Sequence, residues 1–501
     1  MVMIQAALMS PEIEIMDSDP LSSPPVAESA RALRRYEELP GPRGVPFVGN
    51  AFQFEKTRVH EKFAEWIGTY GPFVRVRVGP RHLLLVGDHA VIGSVLRDRP
   101  ERFRRPTNHG MIAREMGFEE GLFFANDEVW KRQRRMVMAA LDPGHVKAFF
   151  PSLKTVVRRL EGRWRHAAGS GAVIDLQADL MRYTVDAIAG LAFGADVNTL
   201  ESDDDVIQRH LNQIFPALAQ RSLTAFPYWR WVRLPADRRL ADSVAHVKRA
   251  IDGFVAEARQ RLRDDTTLRS RPRNLLEAMI AAADLPGSDV DDRDIAGNVF
   301  IALLAGEDTT ANTLAWLLEF LHRNPEALRR AREDVERVAP DPAEFTLEQM
   351  ADLRFVDACI NETMRLKPVA PLLPSQANQD TVVGDVQVPA NTFVVGVMRT
   401  DALDERHFPR PLSFEPDRWL AAGSVGPNAQ SPTRVSMPFG AGPRLCPGRY
   451  LALLEMKMAV AMLLGAFTIE RVGTRDDTPA RERFAFAMGP VGLEMKLARG
   501  R

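Results

Sequence analysis

Cysteine is nearly absent from this chain: two of 501 residues, Cys359 and Cys446. That argues against a secreted, disulfide-stabilised protein and for a reducing compartment. Charge imbalance is absent too, since 65 basic residues face 66 acidic ones for a net charge of −1. Composition therefore makes no case for a nucleic-acid or anionic-membrane partner. No apolar run is long enough to cross a bilayer. Met1 to Met9 is short and is followed by Glu12, Glu14, Asp17 and Asp19, while Met458 to Phe467 is preceded by Glu455 and Lys457. Flavin and nicotinamide fingerprints are missing. These absences describe a soluble, cytoplasmic chain without a transmembrane anchor. Its 45% hydrophobic content suffices to bury a large core.

What is present is organised around Phe439-Gly440-Ala441-Gly442-Pro443-Arg444-Leu445-Cys446-Pro447-Gly448. A single cysteine sits in a loop of glycines and prolines, with an arginine two residues before it. Glycines let the chain curl round the sulfur, so that backbone N–H groups and the arginine favour thiolate. One thiolate makes neither a zinc site nor an iron–sulfur cluster, which need several ligands. It does supply the single axial bond to a haem iron. The loop resembles the haem-binding loop of the cytochrome P-450 family, Phe-x-x-Gly-x-Arg-x-Cys-x-Gly, and Phe439, Gly442, Arg444, Cys446 and Gly448 fill all five fixed positions. Cys359 reads as a small buried residue of a helix.

The resemblance covers about residues 39 to 498 and implies a mainly helical fold with a smaller β-rich part, crossed by a long central helix over haem b. Residues 1–38 read as a flexible leader before a single domain, 39–501. Leu39 to Pro46 is proline-rich, extended, and similar to the entry segment of family members; with no anchor before it, a soluble bacterial-type member is expected. Phe73 to Val78 alternates, Gly79-Pro80 turns, and His82 to Val86 resumes, which predicts a hairpin. The 100–125 stretch reads as a long loop, and 205–264 as two helices flanking Phe226 to Trp231, a lid expected to pack on its own core. Trp130 and Arg134 stand four apart on one helical face, suiting a haem propionate, with Lys131, Arg132 and Arg135 toward solvent.

On the oxygen side, Ser288 and Asp291 open a long helical pattern that ends near Arg323. It is apolar from Val299 to Ala305 and then breaks its own rule at Ala305-Gly306-Glu307-Asp308-Thr309-Thr310. Acids in the middle of a buried helix are costly, and such violations are expected at functional sites. Ala305, Asp308 and Thr309 share one face. Gly306 and Thr309 permit a local opening of the helix ladder, and Asp308 and Thr309 match the family's acid–alcohol pair, which supplies protons when the O–O bond of dioxygen is cleaved.

Glu362 and Arg365 are the family's Glu-x-x-Arg, and Arg418 completes their buried cluster. Ser375 stands where many members have a propionate-binding arginine, which leaves Trp130, Arg134 and Arg444 to hold the propionates. Pro447 has no N–H to offer the thiolate before it, which implies an electron-rich sulfur and a low reduction potential. The implied activity is monooxygenation, by hydroxylation or epoxidation, of an apolar small molecule, with electrons from a separate ferredoxin or flavodoxin and its reductase. Ile301, Ala305, Val369, Leu372 and Phe486 are candidate pocket residues, and Lys131, Arg132, Arg135 and Arg449 form a candidate docking face. A peroxide-driven peroxygenase, an isomerase of the same fold and a haem-thiolate sensor are the alternatives; the acid–alcohol pair argues against each.

Overall fold

The computed structural model describes residues 33–500 except 195, 203–205, 343 and 421–430. The chain is mostly helical, with four small sheets among the described residues. Its centre is the helix Asp292–Arg323, 32 residues and about 48 Å long. Ile295, Val299, Leu304, Leu314, Trp316 and Leu321 are buried on different sides of it, as expected of a helix enclosed all round. Its N-cap is Asp291, whose side chain accepts from Arg293 N and Asp294 N; Ser288 lies outside the cap. Helix Leu176–Phe193 packs closely against its middle, because a Cβ at Gly306 would stand 2.4 Å from Ile188 Cδ1. The segment before helix Asp127–Ala140 packs near its start, where a Cβ at Gly121 would stand 2.4 Å from Gly297 O.

The hairpin forms as expected, Phe73–Val78 antiparallel to Arg81–Val86. Val74, Val76 and Val78 are buried while Arg75 faces out, the period of a half-buried strand. Sequence distance hides the rest of its sheet. Arg81–Val86 pairs in parallel with Phe393–Val397, which pairs with Leu372–Ala377, whose far edge takes Phe103–Arg104. This five-stranded sheet forms one wall of the interior.

Two expectations change. The leader does not extend to residue 38: Arg34–Arg35 pairs with Val386–Gln387, Arg34 binds Asp385 twice, and buried Tyr36 donates from its hydroxyl toward Val76 O and Leu83 O. The rest of that leader, residues 1–32, lies outside the described residues. The 100–125 stretch is not all loop, since Thr107–Glu115 is helical. Its mixed composition hides a helix stabilised by packing rather than by propensity.

Candidate active site

A cavity of about 490 Å³ opens between the cysteine loop and the central helix. Cys446 lines it, whereas Cys359 is buried within helix Arg354–Leu366. The loop turns at Gly440 and Gly442, whose φ values of +77° and +70° favour glycine. At Gly442 a Cβ would also lie 2.4 Å from Leu96 O, so glycine lets the loop press against the end of helix His89–Arg97. Cys446 N–H donates to Phe439 O at 3.1 Å. Burial pushes the Cys446 thiol up, opposed by the Gly448 N–H and by the positive charges of Arg134 and Arg449. Arg444, expected to favour the thiolate, turns away from the sulfur. It donates to Ala125 O at 2.8 Å and Asn126 Oδ1 at 3.1 Å and lies over the Trp130 ring, 4.6 Å from its centroid.

Four arginines meet along this part of the cavity: Arg99, Arg105, Arg134 and Arg444. Among the described residues none of them makes an ion pair with a carboxylate, and Arg105 Nε and Arg444 Nε are buried without a hydrogen-bond partner. Burial pulls Arg444 down to about 9 and Arg105 to about 10. Arg99 falls to about 8 through burial and then the repulsion of Arg105 and Arg444. Desolvated guanidinium groups left with unused donors call for acceptors of opposite charge. A flat apolar group with two carboxylates, facing a thiol, meets that demand; haem with its two propionates fits. Arg99 and Arg105 escaped the sequence reading. They lie in Arg99-Pro-Glu-Arg-Phe-Arg-Arg105, a basic run in which nothing local tells inward from outward. The pairing of Phe103 with Ala377 decides it. They also offset the arginine missing at Ser375, whose Oγ is buried without a partner.

The central helix presents Ile301, Ala305, Gly306 and Thr309 to the cavity. The helix runs through Gly306 without a break, and Thr309 Oγ1 donates back to Ala305 O at 2.6 Å. Asp308 does not line the cavity. It is buried, Oδ2 accepting from Ala487 N at 3.1 Å and Oδ1 from Asn312 Nδ2 at 2.6 Å, and burial raises its pKa. Asp308 and Thr309 are adjacent in sequence, but their side chains diverge from a shared face. Val369, Leu372, Phe439, Gly448 and Phe486 also line the cavity.

Glu362 and Arg365 are fully buried and paired through two 2.8 Å hydrogen bonds. Arg418 Nε reaches Glu362 Oε1 at 3.0 Å and Trp419 Nε1 reaches Oε2 at 2.9 Å. The lid differs from expectation. Trp229 is buried and donates to Glu115, but Phe226 and Trp231 stack on each other and are each 66% exposed. Arg132 also departs, since it turns to Asp294 at 3.3 Å while Lys131 and Arg135 stay exposed.

The family model for cytochrome P450 matches residues 39–497. The chain belongs to the cytochrome P450 family. As a P450 it binds haem b through a cysteine thiolate and is a monooxygenase acting on apolar substrates. It is 25% identical to the chloroplastic protein LUTEIN DEFICIENT 5 of Arabidopsis thaliana, over 80% of this chain and 68% of that protein. It is 26% identical to the chloroplastic carotene epsilon-monooxygenase of Arabidopsis thaliana, over 87% of this chain and 81% of that one. With cytochrome P450 3A6 of Oryctolagus cuniculus it shares 25% identity over 88% of each. These plant and mammalian relatives give no support to a bacterial-type subtype, and the chloroplastic ones overturn the expected cytoplasmic location. Among the described residues no helix is long and apolar enough to cross a membrane.

Proposed function

We propose that Cys446 is the axial thiolate of this P450 and that Arg99, Arg105, Arg134 and Arg444, with Trp130 beneath Arg444, hold the haem propionates. The observation that carries this is the thiol and the four arginines, none with a carboxylate partner among the described residues, facing one apolar cavity. When bound, the haem activates dioxygen so that one oxygen atom enters the substrate and the other leaves as water. The protein's share is to bind, orient and supply protons. Ile301, Ala305, Val369, Leu372 and Phe486 exclude water and press the substrate against the reacting centre. Asp308, whose pKa burial raises, and the Thr309 hydroxyl, which lines the cavity wall, are the two groups that handle protons here.

Electrons come from a separate protein of ferredoxin or flavodoxin type with its reductase. Lys131, Arg135 and Arg449 are the exposed cations proposed to receive it. The testing experiment is spectroscopic. Reduced protein under carbon monoxide is expected to show the red-shifted Soret band of a thiolate-ligated haem. Cys446→Ser should lose that band while Cys359→Ser retains it. With surrogate redox partners, NADPH-dependent oxygen uptake should follow only in the variants that retain it. A red-shifted band surviving Cys446→Ser would sink the assignment.

A further inference from the structure

Outside the haem cavity, the side chains of His89, Asp401 and His407 come together. Each offers one ligand atom, and the three atoms lie within 4.8 Å of one another. His89 opens the helix His89–Arg97, Asp401 belongs to the short helix Arg399–Ala402, and His407 sits in the turn that follows. His89 and Asp401 stand 312 residues apart in the chain, so only folding assembles the group. His89 and Asp401 are buried, whereas the His407 side chain is 22% exposed and gives the group an opening to solvent.

Hydrogen bonding explains half of this arrangement. Asp401 Oδ2 accepts from His89 N at 2.8 Å and meets His89 Nδ1 at 2.7 Å. His407 Nε2 stands 3.7 Å from the same oxygen, too far for a hydrogen bond. The two imidazoles meet edge to face with centroids 4.7 Å apart. Ligands of a tetrahedral zinc ion, with bonds of about 2.0–2.1 Å, stand about 3.3 Å from one another. The separations of 2.7 Å and 3.7 Å fall on either side of that value, and the partly exposed His407 ring can turn to close the third.

Local charge also favours a cation. Arg406 acts electrostatically with Asp404, Asp401 and Asp88, so three carboxylates share this one guanidinium. Its Nη2 stands 3.8 Å from Asp401 Oδ1, but the side chain is 74% exposed and held by Asp404 at 2.8 Å, so it can withdraw. A second histidine–carboxylate group, His60, Glu61 and Glu482, differs in this respect. There Lys367 and Arg399 already bind Glu482 at 2.5 Å and 2.6 Å.

We propose that His89 Nδ1, Asp401 and His407 Nε2 bind one zinc ion, with water completing the tetrahedron on the exposed side of His407. Two imidazoles and a carboxylate suit zinc, whereas magnesium and calcium prefer oxygen ligands. Binding releases to solvent the proton between His89 Nδ1 and Asp401 Oδ2, and the His89 N–H keeps the carboxylate oriented. The ion ties the start of helix His89–Arg97 to the 401–408 segment. Near the other end of that helix, Leu96 O meets Gly442 of the cysteine loop, so the site braces the loop without touching the reacting atoms.

Calorimetric titration of EDTA-treated holoenzyme with zinc chloride tests it. One equivalent is expected to bind, and a large excess of magnesium should not displace it. Zinc K-edge X-ray absorption should show imidazole scattering and nitrogen or oxygen ligands at about 2.0–2.1 Å. His407→Ala should weaken binding on the order of 100-fold, since losing even a partner of a ligand costs about 10–100-fold. His246→Ala, which alters a histidine pair elsewhere, should leave it unchanged. Zinc should raise the melting temperature and slow haem transfer to apomyoglobin in the wild type, and do neither in His407→Ala. A histidine that only packs would shift the melting temperature equally with and without zinc. No binding, wild-type affinity in His407→Ala, or an absorption spectrum without imidazole would overturn the proposal. Should His407→Ala not fold, His407→Asn replaces it, and the absorption spectrum of the wild type decides on its own.

Discussion

Glu455 is 1% exposed, with Oε1 lacking any hydrogen-bond partner, and burial raises its carboxyl from 4.5 to about 8. Between those two values the unfolded chain has released the proton and the folded chain still holds it. The folded state therefore binds more protons, and stability falls as pH rises through that window, by at most about 1.4 kcal/mol per pH unit. The melting temperature of the wild type should drop relative to Glu455→Gln across it, and parallel profiles would show the carboxyl already ionised. Pro447 acts on the other side of the haem space. The Gly448 N–H bonds the sulfur and Pro447 has no N–H to add. Pro447→Leu supplies a donor next to the thiolate and should raise the reduction potential, as measured by redox titration; an unchanged potential refutes the idea. Pro447 is legible in the sequence. Glu455 is not, because its isolation depends on what surrounds helix Arg449–Ala466.

At the scale of elements, close contacts hold the acid in place. A Cβ at Gly489 would lie 2.1 Å from Asn312 Oδ1, and Asn312 in turn holds Asp308 Oδ1. Gly489→Ala is expected to displace Asn312 and slow product formation on the order of 10²-fold while leaving the carbonyl spectrum intact. Steady-state turnover beside that spectrum checks it, and unaltered turnover would free Asp308 from this geometry. Behind the haem space, Glu362 joins helix Arg354–Leu366 to the segment carrying Arg418 and Trp419. Removing Arg365 leaves a buried carboxylate short of its bidentate partner and should cost about 3–5 kcal/mol in urea unfolding, more than Arg418→Ala. The Glu-x-x-Arg spacing recurs elsewhere in the chain, so spacing alone does not single out the buried pair; the downstream segment carrying Arg418 does. The long helix and the hairpin were legible because their periodicity is local. The five-stranded sheet was not, since its partners lie about 300 residues apart, Leu83 against Phe393.

At the scale of the whole molecule, near-neutral net charge conceals a local asymmetry. Lys131, Arg135 and Arg449 are exposed, whereas Arg132 is drawn inward by Asp294. Reversing the three exposed charges together should slow reduction by an acidic electron carrier by about tenfold at low salt, and the difference should shrink as salt is added. Stopped-flow reduction measures this, and equal rates would remove the docking face. Lys131 is already paired with Glu128 at 2.8 Å, so Arg135 and Arg449 are expected to carry most of the effect.

The sequence by itself determined the family, the candidate thiolate, the long buried helix with its acid–alcohol pair, and the glycines around Cys446. Each of these is a local pattern of residue type and spacing. Only the tertiary structure decided which arginines face the cavity, that Asp308 turns to Ala487 instead of the cavity, that Phe226 and Trp231 are exposed, and that His89 meets Asp401. Burial and charge pairing depend on segments far apart in the chain, so no local pattern encodes them.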